Sequence, residues 1–426
     1  MASTYLSYTI ASDGNKKLYT WSAWVKFSDG NTNSDVFHAG TDGNHNSFIR
    51  RISTGQLDIG TYYGYGSGWQ YRLLTNRLFR DANAWYHIVV RQDTDNSTAD
   101  DRIRLYVNGV QETSFATRTN PSSGYEGQIN NNLIHTLGRG IESGTSSNYR
   151  YYNGVISHVH FCDGYSYAPT EFGETDSTTG EWKIKTSPSV SYGTNGFFWL
   201  KDSIATTDHS PNSNTFTVGG GTLTKTEDNP SNNFATMNPL HYESRNTSFY
   251  DGNTTLVSTG SASWTTHYGL STLAMGSGKY YLEVKVENTG TSSQSYPIGI
   301  IAADKNITSS IHDNGVAAVR ASNGNIVGNG SDIQTGLTAI SAGNILGAAF
   351  DATNGTIQFY RNGSTHGNAV TGIDTTKEYY FGCDTYEGSS HFKFNFGNGT
   401  FGSSGISDAG TNASGNGIFE YDVPTG

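Results

Sequence analysis

Basic residues are scarce in this chain. Lys and Arg number 26 against 37 Asp and Glu, a net charge of −11, and no basic run occurs in the 426 residues. Nucleic-acid binding needs clustered Lys and Arg to neutralise phosphates, so that class is excluded. Charge of either sign is low as well, at 15% of residues. A disordered acidic chain has the opposite profile, high charge with few aromatics. Only two cysteines are present, Cys162 and Cys383, far apart in sequence. They form neither a disulfide framework nor a metal knuckle and are read as buried free thiols. No run of 18 apolar residues is found, so membrane insertion is not expected. The start, Met1 to Tyr8, lacks a basic region and an apolar core. It is not read as a secretory signal, and a soluble protein outside signal-dependent export is expected.

Aromatics and glycine are abundant instead. Phe, Tyr and Trp make 13% of the chain, and Gly occurs 52 times. With many Asn, Ser and Thr, this composition implies short strands joined by tight turns. Helical periodicity is nearly absent, and alternation of period two is widespread. Trp21–Phe27, Tyr86–Val90 and Ile103–Val107 read as strands, the last running into Asn108-Gly109. Asn-Gly between β-rich runs marks a hairpin, and it recurs at Asn354-Gly355 and Asn362-Gly363. The expected class is all-β: two tandem antiparallel β-sandwiches with an irregular connecting segment, more than about 30% strand and very little helix. The first sandwich is assigned to residues 1–175 and the second to 246–402. Residues 176–245, poorer in strand signals, read as a linker or small wrapped element. Residues 403–426 read as a Gly/Ser/Asn-rich tail whose final run, Ile418–Tyr421, docks on a neighbour while its start is mobile.

Both blocks carry family resemblances. Trp21–Phe27, Trp85–Val90, Arg104–Gly109 and the closing segment Tyr152–Phe161 resemble a laminin-G-like domain of the concanavalin A-like jelly roll. Gly278–Val284, Ile298–Ile300, Gly343–Asp351 leading to Phe359–Gly363, and Asn395–Gly397 resemble a SPRY domain. Across nearly the whole chain, Arg80-Asp81 before Trp85–His87, Cys162–Gly164 leading to Phe172–Glu174, Ser191–Gly196 and Asn232–Leu240 are similar to a group of tailed-phage proteins. That group is abundant in marine phages and usually labelled tail-fibre-like or structural. Its chains often continue beyond a segment like Val423–Gly426, where an attachment or chaperone module would lie.

Catalytic patterns are mostly missing. Jelly rolls of this type include glucanases, but their Glu-x-Asp-x-x-Glu pattern does not occur; Glu171, Glu174 and Asp176 read as a solvated turn. His158, His160 and Cys162 alternate along one strand and include zinc-ligand types, but no fourth ligand is evident, so an outer-face structural role is expected. Gly278-Lys279 fails as a phosphate loop, with Leu273 and Tyr280 in place of the required Gly and Ser/Thr. Gly66-Ser67-Gly68 lacks the strand-to-helix context of a nucleophile elbow. The laminin-G resemblance leaves calcium possible, with Asp35, Asp42 and Asn44 in one oxygen-rich loop and Asp93, Asp95, Asp100 and Asp101 in another. No other cofactor is implied.

Aromatic clusters are the stronger candidates. Tyr62, Tyr63, Tyr65, Trp69 and Tyr71 stand among glycines, and Tyr149 and Tyr151 form a second cluster. Flat rings with a polar tip suit sugar faces and wet interfaces, although such rings also fill cores. The expected function is non-catalytic: a tailed-phage virion protein of tail-fibre or surface type, assembled in the host cytoplasm and present in many copies or as a homo-oligomer. Its partners would be other virion proteins and a host-surface glycan or protein. A purely architectural capsid or fibre segment and a polysaccharide depolymerase are the alternatives.

Overall fold

The computed structural model describes residues 3–28, 33–64, 66–142, 145, 149–201, 204–240, 247–258, 268–290, 294–305, 310–385 and 389–425. Strand makes up 47% and helix 3%, in several antiparallel sheets. The chain divides into two compact units. The first comprises residues 1–224 with 229–231, and the second 225–228 with 232–426.

Unit 1 is a two-sheet sandwich. Its larger sheet has eight strands, in spatial order Phe115–Thr119, Gly68–Leu78, Gln56–Tyr63, His45–Arg51, Ser34–Asp42, Ile134–Leu137, Tyr5–Thr9 and Thr217–Gly219. The smaller has six: Phe197–Trp199, Gly154–Asp163, Leu18–Phe27, Tyr86–Asp93, Ile103–Val107 and Val110–Gln111. Alternation sets the core. From Leu18–Phe27, Tyr19, Trp21, Ala23, Val25 and Phe27 meet Phe37, Ile59, Tyr71 and Leu73 of the larger sheet. The turn at Asn108-Gly109 has φ of 48° and 78°, the two left-handed positions of a type I′ hairpin, and Asn362-Gly363 repeats it at 49° and 78°.

The connecting segment, read as a linker or small wrapped element, is divided between the two units. Its first part belongs to unit 1, where Phe197–Trp199 pairs with Gly154–Asp163 and Thr217–Gly219 pairs with Tyr5–Thr9. The cause lies on the outer side of the smaller sheet. Thr20, Ser22, Trp24 and His87 point away from the sandwich core, yet all are buried. Trp182 stacks over His87 at 5.9 Å and donates its indole N–H to His87 Nδ1 at 3.0 Å. Phe172, Tyr192 and Phe198 close over Cys162. Residues 165–198 cover this mixed face, and its polar groups find partners beneath the cover, Thr20 with Tyr165 O and Ser22 with His87.

Unit 2 is a second sandwich. Seven strands run in the order Thr247–Tyr250, Thr255–Ser258, His391–Asn395, Lys279–Asn288, Ile345–Asp351, Thr356–Arg361 and Ser364–Thr365. Six more form Tyr268–Leu270, Tyr379–Thr385, Ser295–Ala302, Gly315–Val319, Ile326–Gly328 and Ser331–Gln334. Val284, Ile300, Leu346, Phe350, Phe381, Phe392 and Phe394 fill the space between them. The terminal run docks on this unit itself. Phe419 is buried edge-on against Tyr281 at 4.9 Å, and the Glu283 carboxylate accepts the N–H groups of Glu420 and Tyr421 at 2.8 and 2.9 Å.

Candidate ligand-binding face

Register places one set of side chains on the outer face of the eight-stranded sheet. Trp69, Tyr62, Asn46 and Gly40 lie side by side across four strands. The next row is Arg72, Gly60, Phe48, His38 and Thr136, and the third is Leu74, Asp58, Arg50 and Asp35. Bulges between Asp35 and Phe37 and between Thr61 and Tyr62 keep these residues facing outward while Phe37, Thr61 and Tyr71 turn inward.

Trp69 is the centre of this face. It is half-buried, and it meets Tyr62 edge-on at 5.5 Å and Phe48 at 5.8 Å. The Arg72 guanidinium stands 4.2 Å from its ring centroid. The ring lies flat because Gly60 has no side chain; a Cβ there would press to 3.0 Å from the indole. Fully buried Asp58 fixes the two cations. It accepts Arg50 Nη2 at 2.7 Å and Arg72 Nε at 2.9 Å. Arg50 in turn covers the Phe48 ring at 3.9 Å.

The second aromatic cluster lies over the same face. Arg139–Ile141 and Tyr149–Tyr151 form a two-stranded ribbon against Ser34–Asp42. Gly140 sits directly on Asp35, where any Cβ would collide with the carboxyl group. Arg139 is held between the Tyr5 and Tyr149 rings, 3.7 and 4.7 Å from their centroids. Tyr151 flanks both rings, 6.4 Å from each.

Comparisons with known families agree with this architecture. Residues 2–170 match the family model described as the concanavalin A-like lectin/glucanases superfamily, laminin-G type, and residues 279–399 match the SPRY domain model. The chain carries a laminin-G-like domain and a SPRY domain. Among solved structures it is similar to the SPRY domain of human HERC1, at 19% identity over 33% of this chain and 87% of that one, TM-score 0.29. It is also similar to the TRIM65 PSpry domain, at 15% identity over 38% and 91%, TM-score 0.30. No curated protein matches the chain.

Within the laminin-G-like domain the seven candidate rings divide. Tyr62 and Trp69 share the outer face, and Tyr149 and Tyr151 stand on the ribbon above it. Tyr71 is a correction: at 1% exposure it belongs to the core, because residues 61–71 are mostly strand and the bulge at Thr61/Tyr62 turns it inward. Tyr63 also turns from the face; its hydroxyl accepts Gln128 Nε2 at 2.9 Å and its ring packs 5.2 Å from His45. Tyr65 lies outside the described residues. Phe48, Arg50, Asp58 and Arg72 were missed, because only strand register shows that they converge on Trp69.

In the two candidate calcium loops most of the acidic side chains have protein partners. Asp35 is buried within a strand, and Asp42 Oδ1 accepts the N–H groups of Asn44 and His45 to close a turn. Asp95 faces Lys17, Asp101 faces Arg104, and Asp100 accepts from Asn120. Among the described residues no group of three or more His, Cys, Asp or Glu is placed to hold a metal. His160 and Cys162 do point to the outer side of the smaller sheet. A bulge with His158 at φ 48° sets the phase, and His160 stacks on Phe198 at 4.0 Å beneath the cover.

Two buried groups on this candidate face have unusual acidities. Burial pushes the Asp35 carboxyl up to about 6 despite Arg50 and Arg150, and its oxygens make no hydrogen bond. Burial, with His135 and the nearby arginines, pulls His38 down to about 3.

Proposed function

We propose that this chain is a non-catalytic adhesion protein whose laminin-G-like domain binds a glycan on the Trp69 face. The observation that carries this reading is the half-buried indole set flat over Gly60, bordered by Tyr62, Phe48 and two guanidiniums fixed by Asp58. An apolar ring with a few convergent polar groups is the combination a sugar face needs. The carboxylates support a binding role over a hydrolytic one. Asp35 and Asp58 flank Arg50 on one row, about 10 Å apart by strand spacing. That separation approaches an inverting glycosidase pair, but both groups are 0% exposed and Gly140 covers Asp35.

Trp69→Ala tests the reading. It is expected to weaken glycan or host-cell binding by about 1–2 kcal/mol per site, roughly 5- to 30-fold. Unchanged binding by a folded variant refutes it. The resemblance to tailed-phage proteins supports a place on the virion surface, among other virion proteins and in many copies, where avidity would add about 10²–10⁴. Antibody-gold labelling of intact particles tests that placement: absence from particles, or burial under neighbouring subunits, defeats it.

A further inference from the structure

A cavity of about 190 Å³ lies between the Arg139–Ile141/Tyr149–Tyr151 ribbon and the outer face of the larger laminin-G sheet. It is small, near the volume of six waters at roughly 30 Å³ each. Its buried lining includes His38 and Thr136, and its rim includes exposed Thr41 and Tyr149. His38 is 2% exposed and its Nε2 has no hydrogen-bond partner, although it lines this space. A buried imidazole nitrogen without a partner is unfavourable unless something else meets it.

Arg139 gives the cavity its charge preference. Its guanidinium is fixed between two tyrosine rings but pairs with no carboxylate among the described residues. Stacked this way, the cation is already oriented, and its in-plane N–H groups remain available for a bidentate anion. The cavity adjoins the Trp69 row. Gly40 lines it, and Gly40 is three strands from Trp69, about 14 Å at strand spacing.

We propose that this cavity is the anion subsite of the same ligand, taking the carboxylate or sulfate ester of an acidic glycan whose neighbouring rings lie on the Trp69 face. The proposal rests on the glycan reading above. Arg139 supplies the paired N–H groups, His38 Nε2 meets the anionic group or its adjacent hydroxyl, and Tyr149 closes the rim. In a small, partly desolvated cavity such a pair is stronger than in open water.

The test is calorimetric titration of the full chain with three oligosaccharides of equal length: a neutral galactan, a galacturonan and a sulfated galactan. Inorganic sulfate is titrated separately. The wild type is expected to prefer at least one anionic oligosaccharide by tenfold or more at low salt. Which one binds separates carboxylate from sulfate. Arg139→Gln is expected to bring that ratio close to one, whereas Arg139→Lys retains part of it; melting temperatures check that both fold. Equal affinity for neutral and anionic forms, or a ratio that survives Arg139→Gln, overturns the proposal and leaves the Trp69 reading standing. Suppose instead that no oligosaccharide binds and Trp69→Ala changes nothing. The glycan reading then fails, and sulfate decides the cavity. A saturable shift of the His38 ring resonances that Arg139→Gln abolishes supports an anion site, and no such shift overturns it.

Discussion

Acidification separates the two units. Four histidines of the first, His38, His87, His135 and His160, are at most 2% exposed. Two are locked neutral by their partners. Trp182 donates to His87 Nδ1, so the ring's proton sits on Nε2 and goes to Ser22 Oγ at 2.8 Å. Asn130 N–H donates to His135 Nε2 and Leu133 O accepts from Nδ1, each at 3.0 Å. A second proton would set two donors face to face. Burial pulls His38 and His87 down to about 3 and His135 to about 4, and lowers His160 well below its ordinary 6.5. A lowered histidine is protonated only in the unfolded chain over this window, so its stability contribution is present above 6.5 and is lost as pH falls. From pH 7.5 to 5 His38, His87 and His135 each lose about 2 kcal/mol, together about 6, and His160 adds to the loss in the same direction. Asp35 acts oppositely. Its carboxyl, raised from 3.8 to about 6, is protonated earlier in the folded state, returning about 1 kcal/mol. The net loss, about 5 kcal/mol before the share of His160, is comparable with a whole domain's stability and lowers the melting midpoint on the order of 15 °C. In unit 2 the dominant group is Glu283, raised by burial from 4.5 to about 7; the same change of pH adds about 2 kcal/mol there, with half-buried His391 partly opposing it. Scanning calorimetry at both pH values should show one transition falling and the other holding or rising. Tryptophan emission reports mainly on the first, since six of the seven tryptophans, Trp21, Trp24, Trp69, Trp85, Trp182 and Trp199, belong to unit 1 and only Trp264 to unit 2. An emission midpoint that moves by less than about 3 °C refutes the reasoning, because four buried neutral histidines require a larger shift.

Other perturbations follow from single contacts. Tyr71→Ala should cost about 3–5 kcal/mol by denaturant melts, as for a buried aromatic, whereas half-buried Trp69→Ala should cost clearly less; equal losses would place both rings in the core. Asp58→Ala leaves Arg50 and Arg72 without their shared carboxylate and should cost about 3–5 kcal/mol, measured the same way; a change under 1 would mean that solvent already screens the pair. Glu283→Ala removes the acceptor of two tail amides, so hydrogen exchange at Glu420 and Tyr421 should accelerate more than tenfold while amides of the Ile345–Asp351 strand stay slow; unchanged exchange would show that Phe419 alone holds the tail.

The fold was legible because it is written in local signals. Alternation in Leu18–Phe27 and paired left-handed positions at Asn108-Gly109 and Asn362-Gly363 depend on a few adjacent residues. The face that the connecting segment covers was not legible, although its cause was in plain view. Leu18–Phe27 reads as a strand with one apolar face, and Trp24 on the other face was the sign that both sides are buried. Polar Ser and Thr at positions 20 and 22 hid that sign, because each finds a partner in the fold: Tyr165 O for Thr20 and His87 for Ser22.

The candidate face failed differently. Composition singled out Tyr62, Trp69, Tyr149 and Tyr151 together with Tyr71 and could not separate them from it. Two residues apart on a regular strand, Trp69 and Tyr71 should share a face; one bulge, at Thr61/Tyr62, puts them on opposite faces. A bulge has no fixed sequence signature, so the phase of a strand after it is set by what packs on each side. Here the core takes Tyr71, and the outer position falls to Trp69 because Gly60 leaves room for an indole across the strand. The same logic governs Asp35 and His38. A bulge between them returns both to the outer face, where Gly140 covers the first and the cavity meets the second. Glycine and bulge together thus decide which polar groups of this sheet are sealed and which line the cavity.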